Sequence, residues 1–257
     1  MLAALLPAEI FGVLLVFVRV GAAMMLLPGI AEPYVSARVR LLLALLLSLL
    51  VAPVLSSALP ALPGSPVALA LLILGEVVIG LFIGTVARFF IAALTTTGMM
   101  IAYMSALANA LINDPSAAQQ GSIAGSFLTI VALLVIFALD LHHLMLRALV
   151  ESYQLFVPGE VLPFGDFADM IARVMSKTFL LAFQLATPFI AAATIFYLGV
   201  GLLSRLMPQV HILFVVMPLQ ITLGLVVMSL AVPFIISWFA GSFEETLLPF
   251  AGGAAPY

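Results

Sequence analysis

Cysteine is missing from all 257 residues, which excludes disulfides, iron–sulfur clusters and cysteine-based zinc sites and leaves the compartment undecided. Charge is nearly as scarce: Asp, Glu, Lys and Arg make up 7% of the chain, where a soluble domain carries about 25%. No polar window is long enough to bury a core of its own against water, so no separate soluble domain is expected. Basic clusters are absent as well, and a net charge of −3 argues against nucleic acid as a partner. The first residues, MLAALLPAEIFG, lack the basic start of a cleavable signal peptide, so the first helix is read as retained. No HExxH, GxSxG or GxGD-like motif and no phosphate-binding glycine loop is found, which leaves an intramembrane enzyme without support and no cofactor implied. What remains is oil. With 65% hydrophobic residues and a mean hydropathy of +1.36, the composition is that of an all-α polytopic membrane protein.

Against that background, residues 102–125 (AYMSALANALINDPSAAQQGSIAG) stand out, because they hold Ser105, Asn109, Asn113, Asp114, Gln119 and Gln120. Ser105, Asn109 and Asn113 recur every four residues and line one helical face, with Met104, Leu107 and Leu111 on other faces. At Asp114-Pro115 that helix is expected to stop, and the same dipeptide can open a new one. Irregular backbone at membrane depth is tolerated only inside protein or beside a water-filled cavity. The segment therefore reads as lining or closing a pathway, with an ordinary polar loop between two spans as the alternative.

Along the rest of the chain, residues 10–27 form a spanning candidate with Arg19 near its middle. An arginine at bilayer centre costs at least about 2.5 kcal/mol, so Arg19 must face protein or water, in a functional, assembly or ion-pair role. Pro28-Gly29 ends that helix, and the loop through Arg38 and Arg40 is the clearest positive-inside signal. It places the N-terminus outside. Residues 41–55 form a short apolar run, and residues 56–66 a rigid connector with Pro60, Pro63, Gly64 and Pro66. Residues 67–93 contain Glu76 and Arg88, too far apart to pair, so each needs a partner from another segment; Arg19 is a candidate for Glu76. Gly80 and Gly84 would admit a close helix neighbour. Thr95, Thr96, Thr97 and Gly98 are read as a bend, followed by Met99, Met100 and Met104, a soft seal or core filler. Gly121 and Gly125 repeat the glycine spacing before residues 127–139, which are uninterrupted hydrocarbon. Asp140, His143, Arg147 and Glu151 then mark one helical face, read as an interfacial polar stripe. A metal site is not expected there, because adjacent histidines on a helix point in different directions. Residues 164–177 look like a short amphipathic helix, and residues 178–204 and 212–240 are uncharged runs carrying Pro188, Pro218 and Pro233. Between them Arg205, Gln209 and His211 gather at a hairpin with Pro208. About seven hydrophobic segments result, with the C-terminus inside and Arg205 on the wrong side of the membrane for the charge rule.

Three stretches together resemble the FliR family of flagellar type III export-gate subunits, a family related to the equivalent subunit of virulence injectisomes. They are Phe17-Val18-Arg19 with Pro28 and the Arg38/Arg40 loop, residues 106–116 (ALANALINDPS), and residues 201–224 (GLLSRLMPQVHILFVVMPLQITLG). The last is the most specific, and the likeness covers the whole chain in length, order and hydropathy. It implies kinked helical hairpins, with residues 1–177 a FliP-like part and residues 178–257 a FliQ-like part. It also implies assembly with FliP-like, FliQ-like and FlhB-like subunits around a pore for unfolded export substrates, much of it above the plane of the inner membrane. In such an assembly Arg19, Glu76, Arg88 and the Asp140 stripe would be buried or inter-subunit, as would Arg205 and Gln209. The loop around residues 106–121 would plug the closed pore, with Met104, Leu107, Leu111 and Ile112 as bulk and Asn109 and Asn113 bonding to neighbours. Relatives carry an aromatic and an apolar residue before Asp-Pro; here Ile112 and Asn113 stand there.

Two functions compete: a pore subunit for protein export, and a secondary transporter of a small solute, which broken helices and buried Arg19 and Glu76 would also suit. A transporter shows matching interruptions in two halves. Here the Asn/Gln-rich break is answered only by proline kinks.

Overall fold

The computed structural model describes residues 2–107, 122–160, 163–206 and 212–252, with only the backbone of residues 2–8 and 212–215. Among the described residues seven α-helices follow one another: α1 (Leu2–Met24), α2 (Ala37–Val51), α3 (Pro66–Met104), α4 (Ile123–Ala138), α5 (Leu141–Leu155), α6 (Phe164–Leu206) and α7 (Ile212–Leu247). A 3-10 helix, Leu248–Ala251, closes the described chain, and no strand occurs among the described residues.

Local chemistry explains the boundaries. Past α1 the chain turns through Gly29 at φ +83°, a backbone suited to glycine. Ser36 caps α2 by accepting the Val39 N–H at 3.4 Å, so Arg38 and Arg40 fall in the first helical turn and not in the expected loop. The Arg40 guanidinium folds back and donates to the Val35 carbonyl at 2.9 Å. Ser65 likewise accepts the Ala68 N–H at 3.1 Å, with Pro66 as the first residue of α3.

Two helices run on through stretches that the sequence alone reads as separate. Thr95 and Thr96 both bond back to the Ala92 carbonyl, at 2.8 and 2.9 Å, and Thr97 to Ala93 at 2.9 Å. Hydroxyls satisfied this way leave the helix unbroken, and α3 continues through Gly98 as one 39-residue helix. Residues 164–177 are likewise no separate amphipathic helix but the first turns of α6, which has Asp166 in its first turn and Arg205 in its last, both favourable to the helix dipole. Pro188 in α6 and Pro218 and Pro233 in α7 lie within continuous helices.

Among the described residues three helices are long and apolar enough to cross a membrane, α3, α6 and most of α7, with α4 and α5 together as a broken fourth. That is fewer than the roughly seven hydrophobic segments read from the sequence, because α2, α4 and α5, at 15, 16 and 15 residues, are each too short to span alone. α2, at 15 residues, is only about 22 Å long, short of the roughly 30 Å hydrocarbon core.

The chain divides into two compact units, residues 1–89, 136–174 and 242–257 forming one, and residues 90–135 and 175–241 the other. Each draws on separated stretches of chain. In the first unit, α1 packs on α2 and α5 on the 3-10 helix. Phe11, Leu15 and Leu72 form one core cluster. Phe82 stacks on Phe167 with ring centroids 4.4 Å apart and meets Phe156 and Phe250 edge-on. Gly80 and Gly84 let α3 touch α1: a Cβ on Gly80 would press on the Arg19 carbonyl and lie 2.9 Å from Ala22 Cβ, and one on Gly84 would lie 2.8 Å from Leu26 Cβ. In the second unit Gly98 meets the backbone of Gly125 as closely, and the Thr97 hydroxyl also reaches the Ala182 carbonyl at 3.2 Å.

Candidate functional site

In the second unit, attention falls on the end of α3, where the polar segment begins. The helix stops at Met104, well short of the expected Asn113, and Ala106 takes a left-handed backbone with φ 58°. For an alanine that conformation is costly, about 1–2 kcal/mol, and it persists only where neighbours hold it. Two contacts fix the residues just before Ala106. Gln220, 4% exposed in the otherwise apolar α7, donates from Nε2 to the Met104 carbonyl at 2.8 Å and contacts the Tyr197 hydroxyl at 2.7 Å. One turn further along, Gly224 lies directly on the Ser105 side chain, where any Cβ would collide. Ser105 is buried, and its hydroxyl donates to the Ile101 carbonyl at 2.6 Å. The last turn of α3 is thus fastened by a buried amide, a tyrosine and a glycine contact. Leu107 is half-buried beyond it. Asn109, Leu111, Ile112, Asn113, Asp114, Pro115 and Gln119 lie outside the described residues, as does Gln209 of the hairpin.

In the first unit, Arg19 and Glu76 are each other's partner. Both are fully buried, and the guanidinium grips the carboxylate through two bonds, Nε to Oε2 at 2.6 Å and Nη2 to Oε1 at 2.9 Å. Nη1 donates to the Ser152 hydroxyl at 3.1 Å, Nη2 also to the Phe156 carbonyl at 2.9 Å, and the guanidinium carbon sits 3.8 Å above the Tyr153 ring. Every face of the charge is met inside one unit. Arg88 pairs instead with Glu32 at 2.7 Å. Glu32, Ser152, Tyr153 and Gln220 were not picked out from the sequence. Gln220 carried a visible signal as the one amide in the apolar run 212–240, whereas Ser152 and Tyr153 had none.

The Asp140 stripe resolves into local pairs. His143 Nδ1 lies 3.4 Å from Asp140, and Arg147 donates to Glu151 at 2.7 Å. Asp140, His143 and Arg147 are exposed, and Arg205 is exposed at the end of α6. The adjacent histidines do not diverge as expected: the His142 and His143 ring centroids are 4.1 Å apart.

A family model described as bacterial export proteins, family 1, matches residues 10–246. The flagellar biosynthetic protein FliR of Caulobacter vibrioides is 36% identical over 239 residues, 93% of this chain and 95% of that protein. FliR of Bacillus subtilis is 31% identical over 161 residues, 62% of each chain. The Yop proteins translocation protein T of Yersinia pestis is 29% identical over 154 residues, 59% of each. Extent of match and polar-pinned apolar helices agree, and the chain belongs to the FliR family of bacterial export proteins.

Proposed function

We propose that this chain is a non-enzymatic core subunit of a flagellar type III protein export gate in the bacterial inner membrane. It would assemble with FliP-like, FliQ-like and FlhB-like subunits around a pore for unfolded flagellar proteins. The observation that carries the reading is unclaimed apolar surface: α7 is 36 residues long, and only 17% of its most apolar window is buried within the chain. The flagellar reading is preferred to the injectisome because the match to FliR of Caulobacter vibrioides is both longer and closer than that to the Yersinia protein.

The segment that follows the fastened end of α3 is assigned the role of plug, from Met104, Ser105 and Leu107 through Asn109, Leu111, Ile112, Asn113, Asp114 and Pro115 to Gln119. Its amides would bond to neighbouring subunits while its apolar side chains fill the opening. Co-expression with FliP-like and FliQ-like subunits tests the assembly, and deletion of residues 109–119 tests the plug. Assembly should survive the deletion while small-molecule permeability of the membrane rises. Unchanged permeability in an assembled complex refutes the plug; a stable, monodisperse lone chain that takes up a small solute saturably refutes the gate.

A further inference from the structure

We propose that Asp140, His142 and His143 form a site for a divalent transition metal, Zn2+ above all, at the turn that leads into α5. Ligand atoms of the three residues lie within 4.8 Å of one another. The turn is built to present them. Asp140 holds a left-handed backbone, φ 57° and ψ 17°, and although it occupies the N-cap position its carboxylate makes no capping bond. The carboxylate lies instead 3.4 Å from His143 Nδ1. Beneath the histidines lies an aromatic shelf. The Phe137 ring sits against Gly29, whose added Cβ would come within 2.6 Å of it, and its centroid is 5.0 Å from that of His142. His142 in turn lies 4.1 Å from His143, tilted by 36°. Shelf and helix together keep two imidazoles of adjacent residues side by side, which helix geometry alone would not do.

A second, independent observation is that His142 Nδ1 is buried and has no hydrogen-bond partner among the described residues. Buried polar atoms are normally satisfied, and an orphan calls for an explanation. Two imidazoles and a carboxylate are a donor set for zinc, nickel or copper, whereas magnesium and calcium take all-oxygen shells. Coordination at about 2.0–2.2 Å needs donors some 3.0–3.5 Å apart, so the present spread must close by about 1–2 Å. Asp140 and His143 can supply that movement, their side chains being 75% and 70% exposed. Water would complete a four-coordinate shell. Once bound, the ion would tie the Asp140 turn to the first turn of α5, and the α5 boundary would become harder to open.

The test uses the assembled complex with a non-histidine affinity tag, stripped with chelator and titrated with Zn2+ by calorimetry. Wild type should bind about one ion per chain at this site. Asp140→Asn and His143→Gln, both at exposed side chains, should each weaken binding at least tenfold, on the scale of losses seen around metal ligands. Equal binding by wild type and both variants, or no binding by wild type at 0.1 mM Zn2+, a deliberately generous concentration for a three-ligand site, overturns the proposal. If a variant fails to assemble, Cu2+ electron paramagnetic resonance on the wild type decides: nitrogen hyperfine structure from two imidazoles supports the site, and its absence refutes it.

Discussion

Replacing Glu76 with alanine should be the most damaging single change in the first unit. The Arg19 guanidinium is fully buried, and Glu76 takes two of its four side-chain hydrogen bonds. Removing one partner of a buried pair costs about 3–5 kcal/mol, because the remaining charge is left uncompensated. For a chain of this size that corresponds to a fall of about 6–20 °C in Tm, at about 2–4 °C per kcal/mol. The ordering of variants is more telling than any one value. Arg19→Met with Glu76→Leu removes both charges, keeps most of the volume and should be much milder than Glu76→Ala alone. The double variant still loses the stacking on Tyr153, worth up to about 2 kcal/mol when desolvated. Ser152→Ala, which deletes one bond and spares the pair, should cost about 1–2 kcal/mol. Thermal unfolding of the detergent-solubilised complex, scored by retained assembly on gel filtration, reads all three. A Glu76→Ala variant as stable as wild type, or a double variant worse than it, would refute the claim that Glu76 exists to compensate Arg19.

Gly80→Val should separate α1 from α3, because even a Cβ there presses on the Arg19 carbonyl and Ala22; overpacking of about 1–3 kcal/mol should appear as lowered Tm and lost assembly, while Gly64→Val, in open space, should do nothing. Gln220→Leu deletes the bond to the part-buried Met104 carbonyl, at about 1 kcal/mol; the complex should assemble, and a Leu107→Cys probe, clean in a chain without cysteine, should react faster with a membrane-impermeant thiol reagent. Glu32→Ala should cost no more than about 1 kcal/mol, since Arg88 is 40% exposed and water takes over its solvation; a larger loss would show that the pair is covered in the assembly.

Hydropathy made the fold class and most helix starts legible, because burial in lipid or protein demands long apolar runs whatever the neighbours do. Punctuation was less transferable. Thr95 to Thr97 look like a bend in isolation, yet their hydroxyls are satisfied by their own helix, and nothing local tells which choice a threonine will make. The opposite held for α3's end, where the four-residue spacing of Ser105, Asn109 and Asn113 argued for continuing helix. Tertiary contacts from Gln220 and Gly224 stop it at Met104. The need of Arg19 for a partner followed from the price of a charge in hydrocarbon, and Glu76 was a natural candidate. Glu76, Gly80 and Gly84 share one face of α3 at four-residue steps, and all three meet α1. Read together they would have identified that face from sequence. Ser152 and Tyr153 had no such pattern, since a serine and a tyrosine in an ordinary amphipathic helix look like surface.

Length gives the strongest reason to expect companions. At 1.5 Å per residue, α3, α6 and α7 are about 58, 64 and 54 Å long, against a hydrocarbon core of about 30 Å. Tilting cannot absorb the excess: fitting α7 into the core would need about 56°, beyond the 0–40° that spanning helices adopt. Nor is the surplus polar, because Glu244 and Glu245 in its last turn are the only charges α7 carries. Leu225 and Leu230 stand 55% and 76% exposed along it, and a continuous apolar surface of that extent does not persist against water. Lipid can cover only part of it, so protein must cover the rest. Photo-crosslinking residues placed at 225 and 230 should therefore yield adducts with sister subunits in the native membrane, and at least one position should give protein adducts in preference to lipid. If both give only lipid adducts, and a thiol reagent finds no part of α7 shielded, then the helix bends flat within the bilayer and the case for a protein-lined assembly fails with it.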